Sequence, residues 1–115
     1  MKVVLTHEFD DDDLERLRSR SPEVDAVLAA KEGLAGTLED ADALLCFRVR
    51  AEDTARARRL RLVQSLSAGA DGADPAAVPA GAVLCNVRGH ERTMAEWVLM
   101  ALLALVAIED HHLAR

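Results

Sequence analysis

Two short stretches hold residue types from which a small-anion site can be built: Arg48 and Ser67-Ala68-Gly69. Small residues in a turn let exposed backbone N–H groups come close to a ligand, and that geometry suits a small carboxylate. Arg48 follows an apolar run and can lend positive charge to the same carboxylate, although a solvated arginine has the same signature. Asp71 and Asp74 read as caps of the turn. Thr93 and Glu96 have the spacing of a capping box, so starting a helix also accounts for them.

Other chemistries fit less well. The run Asp10 to Asp13 has oxygen ligands for Mg²⁺, but it reads first as a solvated helix start favoured by the helix dipole. A flavin phosphate loop needs small, hydroxyl and glycine residues after the first strand, where this chain has His7-Glu8-Phe9 and four aspartates. A phospho-receiver needs an aspartate after the third strand and a lysine after the fifth, where Arg48 and Arg88 stand. No cysteine or carboxylate stands at metal-ligand spacing from His7, His111 or His112 in the sequence, and His90 is assigned no catalytic role. Cys46 and Cys85 each fall in an apolar run and read as small core residues.

The elements that must position these residues alternate along the chain. Short apolar strands are expected over Met1 to Thr6, Val24 to Ala29, Ala43 to Phe47, Leu62 to Leu66 and Val83 to Val87. Between them lie a helix from the aspartate run to about Ser19, a capped turn at Thr37 to Asp40, a polar helix over Glu52 to Leu60 and a turn opened by Asp74-Pro75. A helix apolar on every side follows from about His90 to Ile108. Continuous apolar strands alternating with helices predict an α/β fold: a flavodoxin-like, five-stranded parallel sheet of order 2-1-3-4-5 with helices on both faces. Ligands of such sheets collect at the carboxyl ends of the strands, so the turns after Thr6, Phe47, Leu66 and Val87 are the candidates, and Arg48 and Ser67-Ala68-Gly69 fall in two of them.

The segment LVQSLSAGADGAD, from Leu62 to Asp74, and the run from Asn86-Val87-Arg88-Gly89-His90 to Thr93-Met94-Ala95-Glu96 resemble the first lobe of the D-isomer-specific 2-hydroxyacid dehydrogenases. The resemblance implies that Ala68 and Gly69 amides hold the substrate carboxylate, with Ser67 shaping the turn, and that Thr93 and Met94 lie near the nicotinamide. It implies NAD or NADP as cofactor of a complete member and a small 2-hydroxy or 2-keto acid as substrate. The likeness covers about the first third of a family member. The 115 residues hold no G-x-G-x-x-G after any strand, no matching catalytic arginine, glutamate or histidine, and no nicotinamide-binding Rossmann domain. The isolated chain is therefore expected to bind no cofactor and to turn over no substrate.

Composition narrows the partners. A length of 115 residues fits one domain, and a net charge of -6 with only three aromatic residues disfavours nucleic acid and anionic lipid. No basic-then-apolar leader precedes Val3, which makes the cytoplasm the default expectation. The last helix, with apolar residues all around its axis, needs cover on both sides, and its own sheet is expected to supply one. If ~500 Å² remained open per chain, burying it would yield on the order of 12 kcal/mol gross, within the ~4 to 15 kcal/mol cost of association. A homodimer through Thr93 to Ile108 is the expectation.

Overall fold

Continuous apolar runs with no polar alternation become strands buried on both faces, and the computed structural model places five of them in one parallel sheet. It describes residues 1–69 and 71–113, with the side chains of all of these except 110, 112 and 113. The strands are β1 (Lys2–Leu5), β2 (Asp25–Leu28), β3 (Ala43–Cys46), β4 (Leu62–Ser65) and β5 (Val83–Cys85), in the order β2-β1-β3-β4-β5. The expected flavodoxin-like α/β architecture is the one observed. Val3 pairs with Ala26 on one side and Ala43 on the other, and Leu44 pairs with Val63.

Strand alternation sends side chains to two cores. On one face Val3, Leu5, Ala26 and Ala43 pack with Leu14 of α1 (Asp11–Arg20). On the other, Val4, Leu44, Cys46 and Val63 pack with Leu34 and Leu38 around α2 (Leu34–Thr37), and with Ala57 and Leu60 beyond α3 (Ala51–Thr54). Asp10 caps α1 by accepting from the Asp13 N–H at 2.8 Å, and the Arg18 guanidinium donates to the Ala26 carbonyl at 2.9 Å, tying the helix to β2.

The first face is covered only across β1, β2 and β3. On its β4–β5 side Leu62 and Cys85 are half-buried and Val83 is 58% exposed.

Four local expectations change. The loop after β2 contains a 3₁₀ turn (Lys31–Gly33) and α2, so Thr37 ends a helix instead of opening a turn; its hydroxyl donates to the Gly33 carbonyl at 2.9 Å. Gly33 and Gly36 suggested a loop, yet burying Leu34 and Leu38 outweighs their poor propensity. The helix expected over Glu52 to Leu60 is reduced to α3, because the chain must turn to bury Ala57 and Leu60. The last helix, α4 (Glu91–Leu113), starts with the Met94 N–H donating to the His90 carbonyl, which places Thr93 inside its first turn. No Thr93–Glu96 capping box forms: Glu96 pairs with Arg92 at 3.0 Å, and Glu91 accepts from the Gly89 N–H.

The largest departure concerns cover. The sheet was expected to shield one side of α4, but between Glu91 and Glu109 only Ala101 is as much as half-buried. Ten large apolar side chains from Met94 to Ile108 stand 49% to 65% exposed. The helix projects from the body, giving the molecule extents of 66 × 31 × 26 Å. No helix among the described residues is long and apolar enough to cross a membrane.

Candidate functional site

The turns after β3 and β4 leave the carboxyl edge of the sheet side by side, because β3 and β4 are neighbours in register. They then continue as a short parallel bridge between Val49 and Ala73. The Val49 N–H donates to the Gly72 carbonyl at 2.9 Å, and the Asp74 N–H to the Val49 carbonyl at 3.1 Å. Gly72 permits this approach: a Cβ there would overlap the Phe47 carbonyl oxygen.

Between the two turns lies a cavity of about 830 Å³ lined by Phe47, Arg48, Arg50, Ser67, Gly69, Asp71, Gly72 and Asp74, with Val49 at its side. Arg48, Ser67 and Gly69, singled out by residue type and by the family resemblance, thus meet around one space. Ala68 lies in the same exposed turn, and its carbonyl accepts from the Asn86 side-chain amide at 2.6 Å. The Val87 N–H donates to the Ser67 carbonyl at 3.2 Å, so the end of β5 braces the turn from behind. The Ser67 N–H donates to the Ser65 hydroxyl, while the N–H groups of Ala68 and Gly69 meet no acceptor among the described residues. Two adjacent free donors in an exposed, braced turn can receive a carboxylate.

Charge at the cavity is finely divided. No carboxylate lies within 4.0 Å of Arg48 among the described residues, whereas Arg50 pairs with Glu52 at 3.4 Å. The Asp74 side chain is occupied in accepting from the Ala76 N–H at 2.9 Å, capping the one-turn 3₁₀ helix Pro75–Ala77 as expected. Arg48 is the cation left for a ligand, while the Asp71 carboxylate, which makes no cap among the described residues, lies beside Gly69 as the opposing charge. It also borders a second cavity, of about 480 Å³, between the turns after β1 and β3, lined in part by Thr6, His7, Glu8 and Lys31. The Thr6 hydroxyl, on a residue 1% exposed, has no hydrogen-bond partner among the described residues.

Beneath the site the Cys46 thiol is fully buried, and its pKa is pushed up to about 11, first by burial and then by the charges of Glu8 and Asp53. It is packing material and not a nucleophile. Thr93 and Met94 are exposed on the first turn of α4 and line neither cavity. No group of histidine, cysteine and acidic side chains able to hold a metal occurs among the described residues.

Gly72, Asn86 and Arg50 belong to the site and carried no separate signal in sequence reading. The glycine was visible in the GADGAD run, but its role depends on where the Phe47 carbonyl sits, which is a property of the neighbouring turn. The residues present do not fit a dinucleotide. After β1, where a doubly wound sheet would bind a pyrophosphate, Glu8 and the aspartates 10 to 13 would repel its charge.

Comparison with known proteins returns no match: no protein-family model fits the chain, and no curated protein or solved structure is found to be similar to it.

Proposed function

We propose that this domain is the substrate-side lobe of an NAD(P)-dependent oxidoreductase acting on small 2-hydroxy or 2-keto acids. What supports the reading is one arrangement: Arg48, Ser67 and Gly69 line a single cavity at the carboxyl edge, beside the N–H groups of Ala68 and Gly69, which meet no acceptor among the described residues. The N–H pair receives one carboxylate oxygen and Arg48 balances the charge, which orients the acid without reacting with it. Nothing among the described residues fits a nicotinamide dinucleotide, so no hydride step is assigned to them. Thr93 and Met94 keep their proposed place near the cofactor only in an assembly in which another domain sits against α4.

An amide NMR titration of the 115-residue chain with oxalate tests this at millimolar concentration, the range expected of half a site. The largest shifts are expected at Ser67, Ala68 and Gly69, and Arg48→Gln should weaken binding by roughly tenfold, the loss of one charge-assisted contact. Unmoved amides in that turn, or equal affinity in the variant, would overturn the proposal.

The second reading, from a different class, is a non-catalytic flavodoxin-like module that works by self-association. The observation in its favour is the exposed α4. A reading frame that continues past residue 115 into a glycine-rich dinucleotide fingerprint favours the first reading, and a stop codon there favours the second.

A further inference from the structure

We infer that α4 pairs antiparallel with α4 of a second copy of this chain, in one defined register. The pairing does not depend on any chemistry at the sheet edge. Ten large apolar side chains, at roughly 100 Å² each, put on the order of 1,000 Å² outside the fold around all sides of α4, an apolar surface of the size that marks a protein contact. That is about twice the open area expected from sequence, because the sheet leaves α4 bare on every side.

The register follows from spacing and charge. Arg92, Ala95, Leu99, Leu102, Val106 and Glu109 recur at alternating steps of three and four, which places them on one stripe of the helix. The stripe is apolar in its middle, with a cation at the amino end and an anion at the carboxyl end. Turn a second stripe end for end, and Arg92 meets Glu109, Ala95 meets Val106 and Leu99 meets Leu102, every layer filled by complementary partners. A parallel pair sets Arg92 against Arg92 and Glu109 against Glu109. Helix dipoles favour the antiparallel arrangement as well. The occupant is therefore a second copy: the complementarity is between the stripe and its own reverse, which an unrelated partner has no reason to share. Arg92 and Glu109 are both exposed, and the Arg92–Glu96 pair at 3.0 Å can be given up at little cost because it is solvated.

The test is sedimentation velocity on the full chain at micromolar concentration, with three variants whose helicity is checked by circular dichroism. The wild type is expected as a dimer, or as a multiple of two. Arg92→Glu and Glu109→Arg are each expected to weaken association by roughly tenfold or more, since each creates two like-charge contacts per dimer. Combining both restores association, because the reversed charges again face their opposites. A monomeric wild type overturns the inference. So do single variants that associate as the wild type does, or a double variant no tighter than the singles.

Discussion

Cys46 and Cys85 carry the same thiol on two strands of one sheet, and their surroundings give it opposite accessibility. Cys46, on β3, is closed in by the core and by two nearby carboxylates, which hold its pKa at about 11. Cys85, on the edge strand β5, is only half-buried. The thiolate is the reactive form, so iodoacetamide at mildly alkaline pH is expected to label Cys85 in the native protein and Cys46 only in denaturant. Peptide mapping by mass spectrometry reads the outcome, and comparable native rates at both positions would contradict the burial of β3. Arg48 is the same kind of case: its residue type suggested a role, but only the structure shows that no carboxylate among the described residues lies within 4.0 Å of it.

Single elements are held in place by a few contacts between chain segments distant in sequence. Gly72 is the clearest, since its missing side chain lets the turns after β3 and β4 form the Val49–Ala73 bridge. Gly72→Ala is expected to cost about 2 kcal/mol, in the range of overpacked sites, and to displace Phe47 and Arg48. Urea denaturation measures the first effect, and amide shifts at Arg48 and Val49 the second; a neutral substitution would mean that the two turns do not touch. The helices show how local rules yield to packing. Asp10 capped α1 as its residue type foretold. Thr93 and Glu96 had an equally good capping signal but sit within α4, because Glu91 satisfies the Gly89 N–H one turn earlier. Capping residues mark a helix start only when no competing acceptor precedes them.

At the scale of the whole molecule, the amino edge of the sheet is gathered around Asp42, 7% exposed. Its carboxylate accepts from the Lys2 N–H at 2.8 Å and from the Arg59 guanidinium at 3.0 Å, and its carbonyl accepts from the Arg61 and Leu62 N–H groups, so β1, β3 and β4 are joined where they begin. The Lys2 N–H first, then Arg59, holds the Asp42 carboxyl below its ordinary 3.8. Asp40 is lowered in the same direction, chiefly by the Lys2 ammonium. A carboxylate whose pKa is lower in the folded than in the unfolded state contributes stability that is fully present above the unfolded value and lost as pH falls through the folded one. Thermal stability is therefore expected to fall as the pH drops below 3.8, and Asp42→Asn should flatten that dependence while lowering stability at neutral pH. A variant with an unchanged acid profile would show that Asp42 does not link the strands. On its own the sequence determined the α/β class, the strand runs and the turns between them, because the apolar runs, breaker residues and alternation that specify them are local and repeat along the chain. The order 2-1-3-4-5 came only through the fold type that this alternation suggests. It also supplied Arg48, Ser67 and Gly69 as candidates by residue type. Only the tertiary structure decided that these three surround one cavity, that Gly72 and Asn86 brace it, and that α4 stands free of its own sheet. Those outcomes depend on which segments meet in space, and a pattern of residues along a chain carries no record of what lies across from it.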